Sequence, residues 1–422
     1  MGGGLLQLVA YGAQDVYLTG NPQITFFKVV YRRHTNFSIE SIQQTFNGNA
    51  TLGNRVTCQI SRNGDLVHKM YLQVKAKVEA GDLYLQPYYG YKLIKHVELE
   101  IGGQRIDKQY GEWMYIWNEL TMEPGKKKGF MEMVGGNEHN VPVKFTTASD
   151  PISLYIPLEF WFCRNVGLAL PLIALQYHEV KVNIEFNTLA DFTALETGDY
   201  ILASNGAVST TINVAQSNGN FGSSFDATLW ADYIFLDTDE RKRFAQLSHE
   251  YLIEQLQFTG EDSITGSENP SYKNFRLSFN HPVKELVWVS RPDGATDKKI
   301  NWNNFTDNED NNNELAKKNN PTVKAKLQLN GNDRFAERDG NYFSLVQPYQ
   351  HHTNIPSNPG INVYSFALKP EEHQPSGTLN MSRIDTAQLQ IANNKSGKVF
   401  IYAVNYNVLR ILSGMGGLAY SN

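Results

Sequence analysis

The sequence predicts an all-β protein built from two β-sandwiches in tandem, with short helices in the connecting loops. Its 22 Tyr, 22 Phe, 33 Gly and 16 Pro favour strands and turns over helices. Apolar and polar residues alternate along many short runs, which is typical of a sheet with one buried face. Two blocks of sequence also recur in the same order in both halves of the chain, which indicates a tandem duplication.

Size and composition limit the classes of protein that fit. A chain of 422 residues is long enough for about two or three domains, and 41% hydrophobic with 19% charged residues indicates a globular protein. The net charge of −5, without a basic stripe, argues against direct nucleic-acid binding. The longest apolar run, Val166–Leu175, is too short for a membrane span, and the N-terminus lacks the basic region of a signal peptide. We therefore expect a product made and kept in the cytosol.

The chain begins with an N-terminal arm, which we place at residues 1–26. It is rich in glycine and ends in a Gly20-Asn21-Pro22 turn, so we expect it to lie on a neighbour or on its own domain and not to form a core. The run Ile24–Tyr31 after the turn predicts a strand.

We assign residues 27–237 to the first sandwich. Between its strands, Gly111–Leu120 predicts a short helix, and Lys126-Lys127-Lys128 predicts a solvated loop, with contact to an acidic neighbour as the alternative. Strict alternation is clearest in three runs: Leu72–Val78, Val97–Ile101 and Val180–Phe186.

The two halves meet in the segment Trp230–Phe258, which predicts strand, short helix, strand. Asp237 or Thr238 can cap the helix, which carries acids in its first turn and bases after them. Phe244 and Leu247 are expected to face inward. We therefore assign residues 238–247 to a helical linker.

Residues 248–422 are assigned to the second sandwich and a C-terminal tail. Residues 327–335 resemble residues 99–106, and residues 281–288 resemble residues 65–72. Each match is weak alone, but together they flank the central joint and indicate a duplicated sandwich. The alternating runs of this half are Phe275–Phe279, Ala325–Leu329 and Ala387–Ile391.

Two long segments, 188–226 and 301–320, lack periodicity and predict exposed loops. The second contains acidic residues that could suggest calcium, but the spacing and glycine of an EF-hand are missing, so a solvated loop is favoured. These acidic residues are Asp307, Glu309, Asp310 and Glu314.

No catalytic, cofactor-binding or metal site is predicted, and no cofactor. The sequence has no nucleophile elbow, P-loop, HExxH or dinucleotide fingerprint. His351-His352, in a predicted loop, is the only adjacent histidine pair. His178-Glu179 and His249-Glu250 lie in or near strands, where neighbouring side chains point to opposite faces.

For Cys58 and Cys163, two buried free thiols are favoured over a single bridge. Five sequons are treated as non-specific: Asn36, Asn49, Asn304, Asn380 and Asn394.

Eight segments resemble the major capsid proteins of large icosahedral double-stranded DNA viruses, and in particular the chlorella-virus group that infects algae. The resemblance covers the whole chain. Its divergent parts are 79–92, 121–150, 188–226 and 294–322, where that family carries its outer surface. The matching segments are 8–33, 60–66 (ISRNGDL), 97–107 (VELEIGGQRID), 167–181 (GLALPLIALQYHEVK), 232–260, 329–343 (LNGNDRFAERDGNYF), 374–385 (QPSGTLNMSRID) and 405–420 (NYNVLRILSGMGGLAY).

This resemblance implies a double jelly roll, that is, two eight-stranded jelly-roll sandwiches in tandem. Three chains would form a pseudo-hexagonal capsomer that tiles a virion shell assembled in the host cytoplasm. The implied partners are other copies of the chain, neighbouring capsomers, and minor capsid and penton proteins. The inner membrane would be reached indirectly through the arm. The resemblance leaves open whether the surface carries glycans. It implies no direct nucleic-acid contact and no enzyme activity.

Two other functions are weighed against this one. A carbohydrate-binding module is suggested by the aromatic segment Tyr88-Tyr89-Gly90-Tyr91, if it is exposed. An enzyme of the bicupin type is disfavoured because the sequence has no His-x-His pair.

Overall fold

The computed structural model describes residues 2–193, 201–202, 208–209, 219–293, 302–308 and 319–421. The chain divides into two compact units, Met1–Asn36 and Phe37–Asn422. The first unit contains helices α1 (Gly3–Val9) and α2 (Val16–Thr19). The strand predicted at Ile24–Tyr31 is wrong, because the segment has turn and irregular backbone with exposed side chains. An apolar run alone does not make a strand without a neighbour to complete its hydrogen bonds.

The first barrel of the second unit consists of two antiparallel sheets. Its strands are β1 Phe37–Gln44, β2 Phe46–Asn47, β3 Arg55–Gln59, β4 Leu66–Ala76, β5 Leu83–Leu85, β6 Ile94–Ile101, β7 Gln104–Tyr110, β8 Val143–Phe145, β9 Ile152–Pro157, β10 Leu170–Pro171, β11 Val180–Phe186, β12 Ile201–Leu202, β13 Val208–Ser209 and β14 Asp226–Leu236. One sheet has the order β1-β14-β4-β10, with β9 also paired to β4, and the other has the order β2-β3-β11-β6-β7. A small additional sheet has the order β13-β12-β8-β5.

The second barrel repeats this arrangement. Its strands are β15 His249–Ile264, β16 Lys273–Arg276, β17 Pro282–Pro292, β18 Thr322–Leu329, β19 Asn332–Asp333, β20 Arg338–Asp339, β21 Ile361–Ser365, β22 Leu379–Asn380, β23 Ala387–Asn393, β24 Gly397–Leu412 and β25 Met415–Leu418. One sheet has the order β15-β24-β17-β21, and the other has the order β16-β23-β18-β19. Strands β22, β25 and β20 pair with β17, β24 and β18.

Helices occupy the connections between strands. They are α3 Tyr89–Leu93, α4 Gly111–Thr121, α5 Lys127–Val134, α6 Trp161–Arg164, α7 Leu189–Thr193, α8 Thr238–Gln246 and α9 Gln347–His351. Short 3₁₀ turns cover Pro124–Lys126, Val166–Leu168 and Met381–Arg383, and a π-helical turn covers Tyr342–Val346.

The two barrels have the same topology, which confirms the duplication. In each, the sheet orders along the barrel's own eight main strands are first-eighth-third-sixth and second-seventh-fourth-fifth. The repeated sequence blocks fall on equivalent elements. Residues 65–72 and 281–288 cover the first part of the third strand of each barrel. These strands are β4 and β17, and they have 11 residues each. Residues 99–106 and 327–335 form the hairpins β6–β7 and β18–β19.

The two hairpin turns share a backbone requirement. Gly102 and Gly103 have φ of 57° and 85°, and Asn330 and Gly331 have φ of 48° and 82°. Two successive residues at positive φ make the turn that matches the twist of a two-residue hairpin, and only Gly and Asn adopt that backbone at low cost. The repeated glycine in the two blocks is therefore a turn requirement.

Each barrel has an inner core made by one face of its strands. The alternation predicted in the sequence is confirmed, since Leu72, Leu99 and Val182 in the first barrel are fully buried, as are Ala325 and Ile391 in the second. Burial of one such large aliphatic side chain stabilises the fold by about 1.5–3 kcal/mol.

The predicted joint is also confirmed, with β14, α8 and β15 following one another. The Thr238 N–H donates to Asp237 Oδ1 at 2.7 Å, which caps the helix. Phe244 packs on a small cluster of apolar side chains at the end of the first barrel. The inward position expected for Leu247 is wrong, because the helix ends at Gln246 and Leu247 is 62% exposed.

Candidate functional site: the junction between the two barrels

The residues singled out for chemistry in the sequence have structural partners. His178 Nδ1 lies 2.8 Å from the Gly416 carbonyl oxygen, and His249 Nε2 lies 2.8 Å from that of Phe244. Cys58 and Cys163 are free and buried, as favoured, and burial raises the pKa of both thiols, that of Cys58 to about 12. Within the described residues, no group of three or more His, Cys, Asp or Glu could hold a metal ion. In that same part of the chain, no helix combines the length and apolarity needed to cross a membrane.

The predicted loop segments lie partly outside the described residues, including Glu309, Asp310 and Glu314. Of the acidic set, Asp307 is described, and it accepts hydrogen bonds from the Asn319 N–H at 2.9 Å and from Asn394 Nδ2 at 3.1 Å. Asp307 therefore ties its loop to the second barrel, and the exposure predicted for this segment is wrong over residues 302–306, which are buried.

The aromatic segment Tyr88–Tyr91 is buried, so its exposure, which supported carbohydrate binding, is wrong. It folds into α3 against α4 instead of forming an open loop. The Tyr88 ring meets the Tyr115 ring edge-on at 4.8 Å, and Tyr91 Oη accepts a hydrogen bond from Asn118 Nδ2 at 2.9 Å. The aromatic pattern is the same for an exposed and a buried segment, which is why the sequence did not decide between them.

Helix α4 forms the centre of the contact between the barrels. It was correctly predicted from the sequence, but its burial on nearly every side was not. Trp113 packs against Tyr402 of the second barrel with ring centroids 5.2 Å apart. One turn later, the Trp117 ring lies edge-on to the His352 ring with centroids 6.4 Å apart. The Arg164 guanidinium lies 4.2 Å from the centroid of the Trp117 ring. This helix therefore joins the core of the first barrel to the outer surface of the second.

The second-barrel sheet that α4 covers is buried on both faces. On β17, Leu286 and Trp288 point into the core of the second barrel, whereas Val287 and Val289 join the apolar cluster of the first. All four side chains are fully buried. The unbroken apolar run Leu286–Val289 is the sequence signal for such a strand.

An ion pair fixes the start of α4 on the same sheet. Arg291 Nη2 of β17 lies 2.7 Å from Glu112 Oε2, with 14% and 16% of the side chains exposed. The guanidinium also lies 4.8 Å from the centroid of the Phe400 ring. A pair this buried needs both partners, because removing one leaves an uncompensated charge.

A second group of charges lies around Glu254 on β15. Lys284 Nζ is 2.7 Å from Glu254 Oε1, and Arg164 Nη1 of the first barrel is 3.0 Å from Oε2. Burial alone would raise the pKa of Glu254, but nearby His373 and the charges of Lys284 and Arg164 lower it to about 2. Glu254 therefore stays ionised and joins α6 of the first barrel to the second.

His352 is a buried cation. Its Nε2 lies 2.9 Å from Glu285 Oε2, its Nδ1 lies 2.9 Å from Glu371 Oε1, and its side chain is 0% exposed. Burial opposes the charged form, but the two carboxylates outweigh it and raise the pKa of His352 to about 9. The predicted loop position is wrong for His351, which ends α9, and is confirmed for His352, which follows the helix.

Strands β7 and β15 make a further direct contact between the barrels. Asp107 Oδ1 accepts the Leu256 N–H at 3.1 Å, and Gln255 Nε2 donates to the Ile106 carbonyl. Burial raises the pKa of Asp107 to about 6, although the hydrogen bond from Leu256 acts in the opposite direction. Edge strand β7 is thus covered by the second barrel.

The segment Lys126-Lys127-Lys128, which follows α4 in the chain, also makes contacts through Lys127. Lys127 Nζ lies 3.4 Å from Glu119 Oε2 and 3.0 Å from Ser357 Oγ. For Lys127 the solvated-loop prediction is wrong, and the alternative of an acidic neighbour is confirmed.

Comparisons with known proteins agree with this architecture. A family model described as the major capsid protein N-terminus matches residues 25–237, and one described as large eukaryotic DNA virus major capsid protein matches residues 240–417. The chain is 52% identical over 446 residues to the major capsid protein of Pyramimonas orientalis virus, with 100% of both chains covered. It is 44% identical over 467 residues to that of Paramecium bursaria Chlorella virus 1, again with 100% of both covered.

Solved structures show the same likeness. The crystal structure of PBCV-1 VP54 is similar with a TM-score of 0.75 at 38% identity, covering 94% of this chain and 100% of that one. The Faustovirus major capsid protein has a TM-score of 0.75 at 13% identity, covering 95% and 94%, which shows likeness of fold alone.

Proposed function

The chain belongs to the family of large eukaryotic DNA virus major capsid proteins, and on that premise we propose that three copies assemble into a capsomer with six barrels in a ring. It is a double jelly-roll capsid protein of the virion and not an enzyme. Its activity is assembly, so the residues that matter are those that make contacts.

The observation that carries the trimer proposal is the junction inside the chain. Unlike faces meet there, since the α4 side of the first barrel covers the outer face of β17 and β24 on the second. Because the two faces in this contact differ, the pair of barrels still has one unused face of each kind, one at each end. Repetition of such a contact closes a ring when the rotation allows it. A chain of two similar barrels therefore supports a closed threefold ring.

Further parts of the proposal concern neighbours. Contacts between capsomers are weaker and more polar than those within one, so that assembly can correct errors. The N-terminal arm, 1–26, lies at the base, towards minor capsid and penton proteins and indirectly the inner membrane, and assembly takes place in the host cytoplasm. Exposed apolar side chains in the arm, such as Leu8 at 78% and Phe26 at 87%, support packing on a neighbour.

We further propose the domain division 27–237, 238–247 and 248–422 for the two barrels and the linker. The position of α8 between β14 and β15 supports the two boundaries around the linker. The proposal includes no catalytic, cofactor or metal site and no direct nucleic-acid contact. It leaves open whether the surface loops carry glycans.

The test is the native mass of the purified full chain, together with its abundance in purified virus particles. We expect a complex of three times the 47.7 kDa of one chain, and a place among the most abundant proteins of the particle. A folded chain that stays monomeric at all concentrations would contradict the trimer.

A further inference from the structure

A polar cavity opens beside the junction between the barrels. Its volume is about 330 Å³, and both barrels contribute to its lining. The first barrel supplies Lys127, which begins α5, and residues 137–140 of the loop that follows that helix. The second barrel supplies Thr306 and Ser357 from the loops that precede β18 and β21. We refer to this cavity as the junction pocket, and its volume is at the lower end of the range for small-molecule sites, about 300–1,000 Å³.

The lining of the junction pocket is polar. Of the twelve described residues that line it, four are asparagines and four carry hydroxyl groups. Met131 is the only one of the twelve whose side chain has no nitrogen or oxygen. An apolar ligand does not suit such a lining, because the polar groups would lose their hydrogen bonds to water without replacement.

The charges at the junction pocket are paired. Lys127 Nζ lies 3.4 Å from Glu119 Oε2, and Glu138 Oε1 lies 3.7 Å from Lys128 Nζ. These four groups carry no excess of either sign, so they do not select an ion. A neutral ligand rich in hydroxyl groups suits them better, since a hydroxyl can both donate to and accept from an amide or another hydroxyl.

Hydrogen bonds within the wall hold its amide side chains in place. Asn137 Nδ2 donates to the Val141 carbonyl at 2.7 Å, and Asn137 Oδ1 accepts the Val141 N–H at 3.2 Å. Asn358 Nδ2 donates to the Asn303 carbonyl at 2.7 Å. Each of these bonds uses one of the two N–H groups of the amide, which leaves the other for a ligand. Side chains that are already fixed lose little conformational freedom on binding.

The hydroxyl of Ser357 and the ammonium of Lys127 are fixed in the same way. Ser357 Oγ donates to Glu119 Oε2 at 2.8 Å and accepts a hydrogen bond from Lys127 Nζ at 3.0 Å. These contacts use two of the three ammonium donors, and the third is left for a ligand. Because Lys127 comes from the first barrel and Ser357 from the second, the wall forms only when the two barrels are packed together.

We propose that the junction pocket binds a neutral saccharide unit. The inference goes beyond the proposed capsid function and does not depend on the trimer, because the pocket lies within one chain. The amides of Asn137 and Asn358 supply donors and acceptors for ring hydroxyls, and Lys127 supplies a donor for a sugar oxygen. For a single sugar ring we expect a dissociation constant of about 1 mM. Such a sugar can belong to a cell-surface polysaccharide or to a glycan on another capsid protein.

Saturation-transfer NMR of the purified full chain tests the site. The probes are the neutral sugars glucose, galactose, mannose, xylose, arabinose and fucose, with glucuronate as the charged comparator. We expect saturation transfer to at least one neutral sugar. Tighter binding of glucuronate than of every neutral sugar would overturn the assignment of a neutral ligand.

Two variants place the binding in the junction pocket. Ser357→Tyr fills the cavity from an exposed position, so the fold should persist while saturation transfer falls at least tenfold. Ser263→Tyr, at an exposed serine of β15 outside the pocket, is the matched control and should bind like the wild type. Thr306→Val removes one hydroxyl at nearly constant shape and should weaken binding about two- to tenfold.

Two further mixtures identify the source of the sugar. Unglycosylated chain that sediments with isolated cell walls of the host indicates a cell-surface polysaccharide, and chain that sediments with glycosylated virus particles instead indicates a capsid glycan. In either case Ser357→Tyr should stay in the supernatant. Absence of transfer to all the neutral sugars, or transfer that persists unchanged in a folded Ser357→Tyr chain, would overturn the proposal.

Discussion

His352 shows how single residues of the junction respond to pH. The imidazolium lies between Glu285 and Glu371 with no exposed side-chain surface. Its folded pKa of about 9 lies above the ordinary value of 6.5, so the protonated form stabilises the folded state. The contribution is complete below pH 6.5 and is lost as the pH rises through about 9.

We therefore expect the free energy of unfolding to fall by up to about 3 kcal/mol between pH 7 and pH 10 through this residue. In a His352→Gln variant this part of the decline should disappear, and chemical denaturation at a series of pH values measures it. His351→Gln is the control, because His351 is bonded to the Leu368 carbonyl and not to a carboxylate. Equal pH slopes for the wild type and His352→Gln would contradict the assignment.

At the scale of elements, the contact of α4 with β17 depends on a buried ion pair. Replacing Glu112 by Ala strands the Arg291 charge, and we expect a loss of about 3–5 kcal/mol in the free energy of unfolding. The double variant Glu112→Ala with Arg291→Met should lose clearly less than the sum of the losses of these two single variants, because no buried charge is then left unpaired.

An exposed pair provides the comparison for that cycle. Arg410 and Glu250 form a 2.8 Å ion pair across β24 and β15, with 57% and 60% of the side chains exposed. Glu250→Ala should cost less than about 1 kcal/mol. If both pairs cost the same, the ion pair between Glu112 and Arg291 is not a structural link between the barrels.

The elements also show what the sequence could predict. Period-2 alternation and turn residues predicted the alternating strands of the barrels, α8 with its Asp237 cap and the duplication, because these depend on local chemistry, but the strand predicted at Ile24–Tyr31 was wrong. The same signals mark a buried face without saying what covers it. Hence the burial of Tyr88–Tyr91, the position of α4 between the barrels and the partners of His352 were not predicted, since each depends on how the two barrels pack. The one usable signal was the unbroken apolar run Leu286–Val289.

At the scale of the whole molecule, the chain contains the same barrel topology twice, and the two barrels differ in their outer surfaces. The sheet containing β17 is apolar on both faces and is covered within the chain, whereas the equivalent sheet containing β4 carries Tyr, Gln and Lys on its outer face. A single chain therefore has a permanent internal contact between unlike surfaces, which is the contact that the proposed ring would repeat. The proposed ring follows from this difference between two otherwise equivalent faces.

A three-dimensional reconstruction of the assembled protein tests this claim most directly. The account predicts threefold symmetry with six barrels in a ring, in which unlike faces join the copies as α4 joins β17 and β24 within each chain. An assembly without threefold symmetry, or one in which like faces of two copies meet, would contradict it.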